Sequence, residues 1–185
     1  NKFYEWAHKI APRKYNKSKY DHPRLVIPFY DEQGKVFAYQ GRAFGKETPK
    51  YVTIKLDENK QKIYGLERIN FAQHLFVVEG PIDSLFLDNC LAAGGADLTL
   101  DSKINPEKVT YIFDNEPRNK EIIQRMEKII DLGYNIFIWP NEIQLKDVND
   151  LIMTGVSKIQ LDEIISINTY SNLSAKQALV QYKKI

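Results

Sequence analysis

Carboxylates stand at the ends of apolar runs in this 185-residue chain. The run over 74–79 closes on Glu79 and is followed by Gly80. The run over 109–116 closes on Asp114, with Glu116 two residues on. A third run, 134–139, is followed by a loop holding Asp147 and Asp150. Carboxylates gathered in one place repel one another, and a divalent cation relieves the repulsion. Mg²⁺ takes oxygen ligands and keeps waters for contact with substrate phosphates. The pattern therefore predicts metal-assisted phosphoryl chemistry. Gly80, without a Cβ, admits close approach of a phosphate or a metal-bound water. The plain alternative is that Asp114 or Asn115 caps a helix beginning near Arg118 and that Glu79 is an exposed strand end. Three acidic strand ends together favour the metal.

These acids share an edge only if the runs are strands of one sheet. Residues 74–80, 109–116 and 134–140 read as strands buried on both faces. Pro81 can open a helix over the segment that follows the first of them. Residues 90–96 can form a short strand ending in glycines. Residues 118–133 form an amphipathic helix with Ile122, Met126, Ile129 and Ile130 on one face and Gly133 as its stop. Short helices follow near 146–155 and 157–167, and a last one in the segment from Ser174. Strands alternating with helices predict parallel βαβ units with right-handed crossovers, and ligands of such sheets bind beyond the carboxyl ends of the strands.

Before residue 71 the pattern differs. A short helix over 3–10 puts Phe3, Trp6 and Ala7 on one face. A basic, tyrosine-rich segment without clear period follows. Residues 24–30 and 36–44, joined across Gly34, carry a hairpin signature, and 51–56 alternates as a third strand. The expectation is a small antiparallel sheet with a basic face that includes Arg42, Lys46, Lys50, Lys55, Lys60 and Lys62. Arg42, Lys50 and Lys62 suit template phosphates or an incoming triphosphate; a solvated sheet face is the plain reading. Arg118 and Lys120, beside the acidic motif, can meet a triphosphate or pair with acids. Tyr15, Tyr20 and Tyr51 lie among lysines, where bases stack on the ring while lysine follows the backbone. Packing is the commoner role for such tyrosines.

Composition narrows the classes. At 43% hydrophobic residues the chain has enough apolar side chain for a core, which argues against disorder. A net charge of +2 is too mild to announce a nucleic-acid partner by itself. No apolar run approaches the roughly 20 residues that span a bilayer. The single Cys90 excludes an intrachain disulfide and a Cys-rich zinc site, and reads as a core residue of a protein in a reducing compartment. His8, His22 and His74 show no metal-ligand spacing. No Ser-His-Asp arrangement or glycine-rich phosphate loop stands out. The start at Asn1 rather than Met suggests a trimmed chain or a piece of a longer one.

Glu79-Gly80-Pro81-Ile82-Asp83 after an apolar strand, then Phe113-Asp114-Asn115-Glu116, then Lys146-Asp147-Val148-Asn149-Asp150, resembles the TOPRIM domain. That domain is shared by bacterial-type primases, type IA and type II topoisomerases and some nucleases. The likeness covers roughly residues 71–154. Upstream, Arg24 to Val36, Gln40-Gly41-Arg42, Pro49-Lys50-Tyr51 and Ile63-Tyr64-Gly65-Leu66 resemble the subdomain that precedes TOPRIM in DnaG-type primases, where a basic ridge holds single-stranded template. The phrasing around Glu79 and Asp114 is similar to replicative primases of tailed phages.

The resemblance implies an α/β fold: a TOPRIM parallel sheet flanked by helices, preceded by a small antiparallel α+β subdomain and followed by a short helical cap. The implied domains are residues 1–70 for template binding, 71–154 for catalysis and 155–185 for the cap. It implies Glu79, Asp114 and Glu116 as catalytic and Glu79, Asp83, Asp114, Glu116, Asp147 and Asp150 as ligands of Mg²⁺ or Mn²⁺. Glu79 matches the family's invariant acid, assigned to metal and to acid/base assistance; Asp83 matches an additional acid near the metal. Glu116 replaces the usual second Asp of that motif, and Asn149 stands where an acid is often found. Nucleic acid or nucleotide falls to Arg42, Lys50, Tyr51, Lys62, Arg118 and Lys120. The implied activity is primer synthesis: a DNA-dependent RNA polymerase acting on single-stranded DNA with ribonucleoside triphosphates, in the bacterial cytoplasm, with a replicative helicase as partner and no membrane. The family's zinc ribbon cannot be built with one Cys, so no zinc is expected here and the ribbon is expected elsewhere. Competing readings are a TOPRIM nuclease and a non-catalytic single-strand-binding or helicase-docking module.

Overall fold

Phe3 and Ala7 lie one helical turn apart, and that spacing gives the first helix, α1 (Phe3–Ile10), its buried face. The computed structural model describes residues 2–15, 21–93 and 104–185; Tyr20 and the glycines expected to end the second short strand lie outside them. The chain divides into two units, Asn1–Glu67 and Arg68–Ile185.

In the first unit, β1 (Arg24–Tyr30), β2 (Val36–Ala43) and β3 (Tyr51–Lys55) form an antiparallel sheet in chain order. Helix α1 packs on it through a core of Phe3, Ala7, Val52 and Ile54. Gly41 in β2 is required by this packing, since a Cβ there would lie 2.7 Å from the Phe3 ring. Arg24 is buried and uses its Nη1 to donate to the carbonyls of Gly41, Pro49 and Lys50 at 3.0–3.3 Å. These bonds offset part of the cost of burying the charge, and they fix the segment that carries Lys50 and Tyr51.

The second unit contains β4 (Leu75–Val78), β5 (Cys90–Ala92), β6 (Val109–Ile112), α2 (Lys120–Asp131), β7 (Asn135–Phe137), α3 (Val148–Met153), α4 (Lys158–Ile167), β8 (Thr169–Tyr170) and α5 (Asn172–Tyr182). Its sheet runs β5-β4-β6-β7-β8, parallel throughout except for the antiparallel pairing of β8 with β7. All four residues of β6 are buried, as a central strand covered on both faces requires. Helix α2 buries Ile122, Ile123, Met126, Ile129 and Ile130, and truncating any of these to Ala would cost about 2–5 kcal/mol. Gly133, at φ +83°, ends the helical stretch as expected. The α/β fold class expected from the sequence is the one observed.

Three local expectations are corrected. After Pro81 the chain makes only a 3-10 turn, Asp83–Phe86, before β5 begins at Cys90; the Ser84 hydroxyl donates to the Pro81 carbonyl at 2.7 Å and closes that tight turn. The cap of α2 is Asn119, whose side chain accepts from the N–H groups of Glu121 and Ile122, so neither Asp114 nor Asn115 serves there. The edge strand β8 was not expected; its two half-buried residues carry no hydrophobic run.

Candidate active site

Strands β4 and β6 are parallel neighbours with Val78 opposite Ile112, so the chain leaves them side by side at Glu79 and at Phe113-Asp114. The indole N–H of buried Trp139 donates to the Phe113 carbonyl at 2.7 Å and fixes the exit of β6. The backbone N–H of Asp114 donates to Glu79 Oε2 at 3.1 Å. Arg125, from α2, donates to Glu79 Oε1 at 2.6 Å, with its guanidinium over the Phe113 ring at 5.2 Å. Both oxygens of Glu79 are thus engaged, and its orientation is set from two sides.

The next two acids share one cation. Lys146 Nζ lies 3.2 Å from Asp114 Oδ2 and 3.1 Å from Glu116 Oε1. The residue between them, Asn115, builds this arrangement. Its N–H donates to the Lys146 carbonyl at 2.6 Å, and its Nδ2 donates to the carbonyls of Ile143 and Leu145 at 2.9 Å each. Tyr182 of α5 donates to Asn115 Oδ1 at 3.1 Å, and the Lys184 N–H donates to the Pro117 carbonyl at 2.9 Å. Glu116 Oε2 accepts from Asn119 Nδ2 at 2.7 Å.

Two of the remaining sequence-predicted acids, Asp83 and Asp147, hold backbone. Asp83 Oδ1 accepts the N–H of Asn149 at 2.9 Å, at the start of α3. A Cβ on Gly80 would lie 2.5 Å from Asp83 Oδ2, so the room at this glycine is filled by Asp83 itself rather than left for a phosphate. Asp147 is the N-cap of α3 and accepts the Asp150 N–H at 2.7 Å; Asp150 sits in the first turn. As the side chains stand, no group of three or more His, Cys, Asp or Glu among the described residues could hold a metal ion.

Electrostatics single out Asp114. Burial, aided by the charge of Glu79, pushes its pKa up to about 6 against the pull of Lys146. Hydrogen bonds from Asn119 and Lys146 hold the Glu116 carboxyl below the usual range. Burial alone would depress the Lys146 ammonium, but its bonds to Glu116 and Asp114 outweigh that and raise it. Glu79, Asp114 and Glu116 are oxygen donors of the kind a hard cation takes, but as they stand they are engaged by Arg125, Lys146 and Asn119.

In the first unit, Arg42 and Tyr51 face each other across β2 and β3. The Arg42 guanidinium and Lys50 Nζ lie 6.0 and 5.9 Å from the centre of the Tyr51 ring, whose residue is 37% exposed. Three predicted nucleic-acid residues are thereby brought together. Lys62 is half-buried, and burial with the nearby charge of Lys55 lowers its pKa. Arg118 and Lys120 are exposed, before and at the start of α2. Tyr15 donates to the Thr53 carbonyl and packs on the α1 core, so it is a packing residue and not a stacking platform. Arg125 and Lys146 were missed as site residues, because sequence spacing carries no signal for an ion pair 46 residues apart or for a lysine folded back from a later loop.

The chain is 40% identical to the DNA primase of Enterobacteria phage T4 over 187 residues, covering 98% of this chain and 54% of that protein. It therefore spans about half the length of this relative. It superposes on the RNA polymerase domain of the Mycobacterium tuberculosis primase DnaG with a TM-score of 0.64 at 17% identity, covering 91% of this chain and 61% of that one. A DnaG primase catalytic domain bound to ssDNA gives a TM-score of 0.60 at 17% identity, over 84% and 56% of the two chains. No family model matches the chain. The resemblance to phage and DnaG-type primases is borne out by these similarities, and the fold is that of the primase catalytic core.

Proposed function

We propose, from this homology, that the chain is the polymerising core of a DNA primase, joining ribonucleotides on a single-stranded DNA template. The observation that supports it best is the convergence of Asp114 and Glu116 on one cationic nitrogen beside Glu79. In the reaction, the 3′-oxygen of the growing primer forms a bond to the α-phosphorus of the next ribonucleotide. The bond from that phosphorus to the bridging oxygen breaks, pyrophosphate leaves with the electron pair, and the hydroxyl proton is lost. A divalent metal held by Asp114 and Glu116, with Glu79 alongside, would lower the hydroxyl pKa and neutralise charge on the leaving oxygens.

The chain's own residues supply the rest. Arg125 and the Asp114 N–H hold Glu79 in one orientation. Trp139 and Asn115 fix the loop that bears the acids. Asp83, Asp147 and Asp150 shape the floor through α3 and stand as outer ligands. Arg118 and Lys120 take triphosphate oxygens. In the first unit, Tyr51 stacks on a template base while Arg42 and Lys50 take phosphates, with Lys62 farther along the strand's path. Residues 1–70 bind template, 71–154 carry the chemistry and 155–185 cap the sheet. Ribonucleoside triphosphates are the substrates, Mg²⁺ or Mn²⁺ the metal, and a replicative helicase and a zinc ribbon on another segment or chain the partners. The site of action is the cytoplasm of a bacterial cell. No helix among the described residues is long and apolar enough to cross a membrane.

The test is extension of a short RNA annealed to single-stranded DNA, which bypasses the need for a zinc ribbon. Metal-dependent extension is expected, falling at least about 1,000-fold in Glu79→Gln with template affinity little changed. Strand cleavage instead of extension would replace this reading with a nuclease. Equal loss of binding and activity in Glu79→Gln would make the acid structural.

A further inference from the structure

Lys146 opens one of the motifs that carry the resemblance to primases but receives no function from it, and its ammonium sits between two of the site's carboxylates. Its Nζ makes ion pairs with both Asp114 and Glu116, at 3.2 and 3.1 Å. Its backbone is anchored, because Asn115 N–H holds the Lys146 carbonyl and Asn115 Nδ2 holds the two carbonyls just upstream. Its side chain is not enclosed: 54% of it is exposed, against 22% for the Arg125 side chain on Glu79. Arg125 also lies on the Phe113 ring and emerges from a packed helix. One cation of the site is therefore built in, while the other is a flexible four-carbon arm on a fixed pivot.

We propose that Lys146 is an exchangeable internal counter-ion. It holds Asp114 and Glu116 together in the metal-free chain, yields them to a divalent cation, and then swings from its fixed backbone onto the phosphates of the incoming triphosphate. This rests on the metal reading above and adds a competitor and a phosphate ligand to it. A monovalent ammonium satisfies two carboxylates only in part, and a hard divalent ion with the same oxygens displaces it. Once released, the ammonium would remain tethered to the anchored backbone beside the acids, where a lysine can serve as a point charge on phosphate. The same group thus protects the acids from mutual repulsion before metal binds and neutralises substrate charge afterwards.

Binding of Mn²⁺ alone, followed by electron paramagnetic resonance on the 185-residue chain, tests the competition. Removing a competitor tightens the binding it opposed. Lys146→Met is expected to lower the Mn²⁺ Kd about two- to fivefold, the range of a partly exposed ion pair. Lys146→Arg, which keeps the charge, should stay near the unsubstituted chain. An unchanged or weaker Kd in Lys146→Met overturns the proposal. Should that variant fold poorly, amine acylation of the unsubstituted chain read by peptide mass spectrometry decides. Reactivity at Lys146 is expected to rise several-fold on adding Mg²⁺ and to fall again on adding a ribonucleoside triphosphate; no response to Mg²⁺ overturns it. Asp114→Asn separates the two levels. If the unsubstituted chain binds Mn²⁺ and Asp114→Asn does not, the metal reading stands whatever Lys146→Met does. If neither chain binds, or both bind equally, the metal reading falls and this inference with it.

Discussion

Replacing Asp114 by Asn should make the metal-free protein more stable at neutral pH. Burial and the neighbouring Glu79 charge raise the Asp114 pKa from 3.8 to about 6. The folded state therefore binds this proton more tightly than the unfolded chain does, and keeping the group ionised costs stability above pH 6. Two pKa units correspond to about 3 kcal/mol. Asn carries no charge, so at pH 7.5 the variant gains up to that amount, the raised pKa already containing the pull of Lys146. As pH falls through 6 the native carboxyl takes up its proton and the advantage shrinks; below about 4 it is gone. The assay is urea denaturation across pH 4–8 in chelator. The chain has two tryptophans, Trp6 in the first unit and Trp139 beside the acids, so a Trp6→Phe background reports the second unit alone. Excess Mg²⁺ should reverse the order, stabilising the native acid and not the variant. An Asp114→Asn protein that is less stable than its parent at pH 7.5, or a difference that does not vary with pH, would refute the reasoning. Functional acids that cost stability when their ligand is absent follow a general pattern.

Gly80→Ala puts a methyl 2.5 Å from Asp83 Oδ2 and must push that carboxylate off the Asn149 N–H. A loss of about 1–2 kcal/mol is expected in thermal or urea unfolding, and adding Asp83→Ala to it should cost little more; fully additive costs would show that the two are not coupled. Tyr51→Ala should weaken binding of single-stranded DNA about fivefold or more while leaving its salt dependence unchanged. Arg42→Ala and Lys50→Ala should instead each flatten the salt dependence by about one phosphate contact. A fluorescence anisotropy titration at several salt concentrations checks both, and Tyr51→Ala binding like the parent would remove the stacking role.

Much of the fold is legible in the sequence because hydrophobic runs are unambiguous where strands are buried on both faces. β6 and β4 are such runs, and the alternation in β3 survives because one face of that sheet meets α1. The segment after Pro81 carries a helix start signal yet makes only a 3-10 turn, because a proline start signal says nothing about how soon the next strand must begin. β8 escaped because two residues of an edge strand have no period. In the site, strand-end position was enough to place Glu79 beside Asp114. Their cationic partners were not legible, since Arg125 and Lys146 reach the acids only through the packing of α2 and the fold of a loop. The cap of α2 shows the same limit in reverse. Asn119 does locally what Asp114 was suspected of doing, and so leaves Asp114 free for the centre of the site.

The bond from Tyr182 to Asn115, with that from Lys184 to Pro117, ties α5 to the loop between β6 and α2. Asn115 in turn holds the three carbonyls from which Lys146 is hung. Undocking α5 and loosening the acidic loop are therefore one cooperative opening rather than two independent ones. The amide protons of Asn115 and of the loop it clasps should exchange with solvent at the rate of helix undocking. A feature that looks like a surface cap thus sets the lifetime of the site's geometry.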